Sequence, residues 1–260
     1  MKKILLLLIV LCFCKNRQAC AQSFDGVRIS LKAGAGYSMM DNLQTTILSE
    51  PYFTNYSLTG KKVSGFTGGI GINSEIKNSV FALNLDVLYS QEGSELNFNN
   101  TAKDFNYRMQ FKYRYINLPL LLKAYPFDRT HDGLHGINLG VGPQLGFNIA
   151  PENIIYTSGG TGKLPAFGTD LEQQQQISNV LKGKNNFGVL FHAGYDIPNI
   201  GLNIAFSYLL GLSDGVETLP NAYNFIENKN TNKTLQVTLG WELFSTYPKK
   251  RVLIVRPAGS

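Results

Sequence analysis

Charge is scarce in this chain: Asp, Glu, Lys and Arg make up 16% of it, while 43% is hydrophobic. A water-soluble surface usually carries about 25–35% of these four residues, so most of this one is not built to face water. Long apolar runs are missing too. Past the first twenty residues none approaches the roughly 20 that a membrane helix needs, which excludes a helical membrane protein. The three cysteines, Cys12, Cys14 and Cys20, all lie near the N-terminus. The remainder offers no disulfide, zinc thiolate or Cys nucleophile.

The first residues have a separate meaning. Met1-Lys2-Lys3 is a basic start, Ile4 to Cys14 is apolar but too short to span, and Ala19-Cys20-Ala21 supplies small residues for cleavage. This is the layout of a secretory signal peptide, with cleavage expected between Ala21 and Gln22. Lipid attachment at Cys20 is the weaker alternative, because Arg17 stands where an aliphatic residue is wanted. Without Lys2, Lys3, Lys15 and Arg17, 20 basic side chains face 18 acidic ones. That near balance gives no ground for nucleic-acid binding. The expected divisions are a signal peptide over 1–21, a barrel over 22–246 and a basic tail over 247–260.

What the sequence does have is alternation. Eight segments show period two, the mark of half-buried strands: about 27–38, 62–74, 81–90, 110–124, 137–148, 186–196, 202–208 and 235–243. In the clearest, Ile137, Leu139, Val141, Leu145 and Phe147 alternate with Asn138, Gly140, Gly142, Gln144 and Gly146. Connections near 75–78, 125–133 and 197–199 are short; those over 39–61, 93–109, 149–185 and 212–232 are long. Short turns at one end and long loops at the other describe a bacterial outer-membrane barrel with both termini in the periplasm.

A soluble eight-stranded barrel would also alternate, with an apolar interior and a wet exterior. The second face decides between them. It is built from Gly34, Gly36, Gly69, Gly71, Gly140, Gly142, Gly146, Gly188, Gly194 and Gly240 among Asn, Ser and Thr. Few Lys or Glu stand there, so it suits a narrow interior better than a solvated surface. Aromatics end the apolar face at both rims: Tyr37, Tyr89 and Tyr208 at one, Phe81, Tyr195, Trp241 and Phe244 at the other, as interfacial girdles do. The expected fold is all-β, an eight-stranded antiparallel transmembrane up-and-down barrel with long extracellular loops.

Parity also places six charges inside: Arg28, Lys32 and Lys123 against Asp86, Asp196 and Glu242. Buried charges must pair, so these six are the candidate lumen ion pairs. A proton or ion pathway is the alternative. His131 and His135 are four apart, a zinc spacing on a helix, but Gly133 and Gly136 break any helix there. His192, four residues from Asp196, reads as a hydrogen-bonded lumen residue. Gly159 to Lys163 lacks the strand-to-helix context and the hydroxyl residue of a phosphate loop. Gln173 to Gln176 is a polar tract, compatible with a helical turn. Tyr52, Phe53, Tyr56, Phe98, Phe105, Tyr107, Tyr156, Tyr223 and Phe225 lie in the expected loops, either to contact a protein or glycan or to cap the barrel. No catalytic, cofactor or metal set emerges, and the chain reads as a non-enzyme.

Tyr113-Arg114-Tyr115-Ile116-Asn117-Leu118-Pro119-Leu120-Leu121-Leu122-Lys123 resembles the PorT-type outer-membrane barrel family of Bacteroidetes, whose strand reads Tyr, Ile/Leu, any residue, Ile/Leu, Pro-Leu-Leu-Leu-Lys. Asn138 to Pro143, Asn186 to Val189 with Tyr195 to Ile197, and Ser207 to Asp214 are similar to further strands of that family. The resemblance spans about 27 to 244. It implies an eight-stranded barrel; most members have no assigned activity, and the founding member takes part in type IX protein secretion. Implied partners are outer-membrane lipid and proteins of a secretion assembly. Transport through the lumen and ligand or adhesion binding by the loops are the other readings. Pro119 cannot donate to a ladder, and a local bulge is expected there. Lys249-Lys250-Arg251 and the apolar Val252 to Val255 form a tail beyond the usual aromatic end, suited to headgroups or a periplasmic partner.

The leader assignment has a direct check. Mass spectrometry of protein recovered from the outer membrane should find Gln22 as the first residue, whereas a lipidated Cys20 would establish the alternative.

Overall fold

The computed structural model describes residues 24–47, 57–102, 104–127, 136–149, 153–160, 168–197, 200–221 and 225–246. The expected signal peptide, with Ala21 and Gln22, and the tail lie outside them, as do His131, His135, Tyr52, Phe53, Tyr56 and Tyr223. The elements in order are β1 (Phe24–Met40), α1 (Leu43–Ile47), β2 (Ser57–Lys61), β3 (Val63–Ile76), β4 (Phe81–Asn100), β5 (Phe105–Ala124), β6 (Ile137–Asn148) and β7 (Asn153–Gly160). Then come α2 (Asp170–Val180), β8 (Leu181–Gly183), β9 (Asn186–Ile197), β10 (Leu202–Gly211), β11 (Val216–Thr218) and β12 (Asn232–Ser245).

Eight of the strands close a ring. β1, β3, β4, β5, β6, β9, β10 and β12 pair antiparallel in chain order, and β12 returns to β1 from Arg28↔Ser245 to Met40↔Asn232. Every ring strand thus has two neighbours, the condition for crossing hydrocarbon without orphaned backbone groups. No helix among the described residues is long and apolar enough to cross a membrane.

Side-chain alternation turns the apolar set outward. Leu31, Phe66, Ile70, Leu83, Leu85, Val87, Leu120, Leu122, Leu139, Val141, Phe191, Ile204, Val237 and Leu239 are all exposed on the outer wall, while Asn84, Asp86, Ser90, Asn117, Lys123, Asn138 and Gln144 are buried inside. This inverts a soluble protein. It is stable only where lipid meets that wall. On β4 the band runs from Phe81 to Tyr89 and on the paired β5 from Ala124 to Ile116, the nine residues or so that a tilted strand needs to cross. Tyr37, Trp241 and Phe244 stand exposed at its rims.

Two departures from strict alternation have local causes. Ile29 pairs with Phe244 and Ser30 with Glu242, so Leu243 is an extra residue on β12. This bulge lets Trp241, Leu243 and Phe244 all face outward. At Pro119 the expected bulge is absent. The β5–β6 register passes unshifted from Pro119↔Gln144 to Leu122↔Val141, and pairing simply lapses between them. On the other side it lapses between Leu85↔Leu120 and Leu88↔Asn117. Pro119 and Pro143 remove two donors at one level, and the ladder loses rungs there without gaining a residue.

Above the barrel the chain stays folded. β4 and β5 run about ten residues past the ring, β2 adds to β4 and β7 adds to β5, so much of the long connections expected over 39–61, 93–109 and 149–185 is strand or helix. The Gln173–Gln176 tract belongs to a full helix, α2, begun by a capping box between Thr169 and Glu172.

Leu85 sits mid-band on the lipid wall. Leu85→Arg should cost about 2–4 kcal/mol, measurable by urea titration of the barrel folded into phospholipid vesicles.

Candidate functional site: the filled lumen and its cap

Three layers of side chains occupy the interior, and the first closes its short-turn end. Asp196 on β9 is the hub: it accepts from Arg28 Nη1 at 3.0 Å, Tyr125 Oη at 2.9 Å, Asn138 Nδ2 at 3.4 Å and Asn203 Nδ2. Arg28 Nε lies 3.1 Å from Glu242. The side chains of Arg28, Asp196 and Glu242 are 18–30% exposed, so the charged part of the cluster is wetted at the mouth. A recess of about 10 Å³ beside Tyr125, lined by Glu75, Ser79, Val80 and Phe81, has room for about one water.

The second layer is dry. Lys32 Nζ reaches both oxygens of Asp86 at 2.7 Å, and Asn84 Nδ2 donates to Asp86 Oδ1 at 2.7 Å. Glycine makes this pair possible. Gly69 and Gly240 flank Lys32 on the neighbouring strands, and Gly71 lies opposite Asp86. A methyl group at Gly71 would fall 2.5 Å from Asp86 Oδ1 and 2.6 Å from Lys32 Cε. The side chain missing at Gly71 is therefore the space in which the Lys32–Asp86 pair lies.

Lys123 shares this layer, packed beside Gly140 and His192. The expected three-against-three pairing does not hold: among the described residues Arg28 takes Asp196 and Glu242, Lys32 takes Asp86, and Lys123 makes no ion pair within 4.0 Å. Asp86 and Asp196 act on it only through space. The reason is reach. Arg28 has a planar fork that serves two carboxylates, and it uses the second acid.

His192 is a hydrogen-bonded lumen residue, as its position suggests. Its partners are Ser207 Oγ at Nδ1 and Asn138 Oδ1 at Nε2, both at 3.1 Å, rather than Asp196. Hydroxyl, imidazole and amide stand in the order of a nucleophile, a base and its orienting group. All three are under a tenth exposed within the filled barrel, and the arrangement satisfies polar groups where water does not reach. Register explains it: Ser207 is the direct cross-strand partner of His192.

Higher still, Glu92 is 1% exposed and accepts from Asn117 Nδ2 at 2.6 Å and from Asn232 Nδ2. Leu121, Leu190 and Leu209 form a small apolar plug inside.

Above these three layers lies a hydrophobic core of the kind a soluble protein has. Met40, Leu43, Leu58, Leu96, Phe98, Phe105, Met109, Phe111, Tyr113, Tyr115, Ile154, Ile177, Leu181 and Val216 pack together over the barrel end. Of the loop aromatics within the described residues, Phe98 and Tyr107 stack at 4.5 Å, Tyr107 and Tyr156 at 5.6 Å, and Phe225 packs against the same core. They cap the barrel rather than face solvent. α2 shields the edge of β7, where Asp170 accepts from the Ser158 N–H at 3.0 Å and Gln174 from the Tyr156 N–H at 3.3 Å. Edge groups taken this way cannot template another chain. Glu172 is held below the usual carboxylate range by hydrogen bonds from the Thr169 backbone and side chain, so this helix cap is complete at neutral pH and weakens as pH falls through that lowered value. Gly159 and Gly160 end β7; Thr161, Gly162 and Lys163 are outside the described residues.

Comparison with known proteins gives a family and distant shapes. A family model described as an outer membrane protein beta-barrel domain matches residues 18–216. Among solved structures, Neisserial surface protein A is similar at 10% identity and a TM-score of 0.34, over 82% of this chain and 96% of that one. OprG from Pseudomonas aeruginosa is similar at 11% and 0.34, over 85% and 93%. The translocator domain of the autotransporter NalP from Neisseria meningitidis stands at 9% and 0.33, over 90% and 92%. No curated protein matches.

The dry ion pair yields a test. Asp86→Asn leaves Lys32 charged and buried, and should cost about 3–5 kcal/mol of stability in lipid. The double change Lys32→Met with Asp86→Leu should recover most of it, read as the urea midpoint in vesicles.

Proposed function

Since the chain belongs to the outer membrane protein beta-barrel domain family, we propose that it is a non-enzymatic structural and interaction component of the outer membrane, working through its folded outer end rather than its lumen. One observation carries this: the interior is filled at successive levels by the Arg28–Asp196–Glu242 cluster, the Lys32–Asp86 pair and the Glu92 amides, with the apolar cap on top. Opening a solute path would require breaking buried charge pairs and a hydrophobic core together, each worth several kcal/mol. What is left to act is the surface. The four-stranded wall of β2, β4, β5 and β7 stands clear of the barrel, held rigid by its own core, and offers a preformed contact face.

Within that role the sharper reading is assistance to protein secretion, as a fixed member of a type IX export assembly. Its support is the resemblance carried by Tyr113 to Lys123, together with an outer end built as a small domain. Export through a signal peptide over 1–21 belongs to the same proposal.

Planar bilayers holding the purified protein should show no steady conductance; stable single-channel steps would favour lumen transport instead. Deleting the gene should reduce secreted cargo in the culture medium, and an unchanged secretome would remove the export role while leaving the sealed barrel intact.

A further inference from the structure

The outward face of β5 changes character at one level. Ile116, Leu118, Leu120 and Leu122 face outward along the lipid band, and the next two outward positions above Ile116 are Arg114 and Lys112. Across the ladder, Arg114 stands opposite Gln91, Ile116 opposite Tyr89, and Lys112 opposite Gly93 on one side and Asn153 on the other. Two cations, two amides and a tyrosine thus share one patch immediately above the hydrocarbon. Gln91 Nε2 reaches Tyr89 Oη at 3.4 Å, and the Tyr89 ring lies 5.2 Å from Phe66, which fixes the tyrosine at the rim.

The cations of this patch are not used inside the protein. Three other basic residues of the outer end have carboxylates: Arg108 takes Glu95 at 2.5 Å, Lys233 takes Asp41 at 2.6 Å, and Lys184 takes Asp214 at 3.4 Å. Arg114 and Lys112 have no such partner among the described residues, although both are half-buried against the wall. Half-buried cations at the edge of lipid are poorly hydrated and seek an anion. At that depth the available anion is the headgroup of the lipid whose chains lie on Ile116, Leu118 and Leu120.

We infer that Arg114 and Lys112 form a binding site for the phosphate of an outer-leaflet lipid headgroup, with Gln91 and Asn153 as hydrogen-bonding neighbours and the β5 apolar row as the seat of its acyl chains. Arg114 supplies the forked donor pair suited to phosphate and Lys112 a second positive charge. A lipid bound here would set the height of the β2–β4–β5–β7 wall above the membrane. The inference rests on the membrane-barrel reading.

The test uses the full chain in nanodiscs of equal parts phosphatidylcholine and phosphatidylglycerol at physiological salt, with bound lipid identified by native mass spectrometry. Wild type should retain phosphatidylglycerol preferentially, and K112Q/R114Q should lose that preference by about 30-fold. K233Q, whose lysine is already paired, should keep it. Equal retention by the double variant overturns the site, and so does an equal loss in K233Q, which would mean a general charge effect. Displacement of the lipid by millimolar inorganic phosphate would show a free-oxyanion site and overturn the lipid assignment. Heat-modifiable electrophoretic mobility reports the barrel separately: its absence in wild type would fail the membrane reading itself, and its presence in each variant shows the fold is kept.

Discussion

A strand in hydrocarbon has no water to receive its N–H and C=O groups, and every other feature of this protein follows from meeting that demand. The closing pair is β1 with β12, thirteen residues of β1 against the last described strand. Once it forms, the ring has no edge in the membrane. Closure also fixes the bore. Eight strands leave room for side chains and little else, so the interior must be filled, and filled with groups that satisfy one another.

Filling explains the glycines. Lys32 and Asp86 can meet because Gly71 gives up the volume its side chain would take. The same logic gives Asp196 four donors at the mouth and His192 two partners within the wall. Most of the buried charge is answered; Lys123 has Asp86 and Asp196 only through space. The lumen is therefore largely a network of compensations.

The outer end obeys a different solvent. Above Tyr89 and Ile116 lipid gives way to water, and the chain reverts to the soluble arrangement, apolar residues inside and polar ones out. Phe111, Tyr113 and Tyr115 on β5 turn into a cap core, while Arg114 and Lys112 take the opposite face. One strand thus serves two environments with one alternation. The β7 edge, open to water, is closed by α2 side chains instead of a ring neighbour.

How much of this the sequence held depended on where each segment sits. In the membrane band one face meets lipid and the other a polar lumen, so period two is sharp. The eight spans, their facing and the charges assigned inward could all be read from segments such as Ile137 to Phe147. Past residue 90 the signal fades. Glu92, Gly93, Ser94, Glu95 and Leu96 are buried consecutively, outward Glu95 being covered by its pair with Arg108, and no alternation marks the continuation of β4. The sequence shows α2 only as the polar tract Gln173 to Gln176; its capping box and its packing on β7 emerge in the folded chain. Pairings were beyond the sequence altogether. Arg28 finds Asp196 across 168 positions, Lys123 goes without an acid, and the bulge at Leu243 arises only when β12 closes on β1. Alternation is a local property, set by the solvent on each side of one strand. Partners are set by ring closure, which brings together residues that no local rule relates.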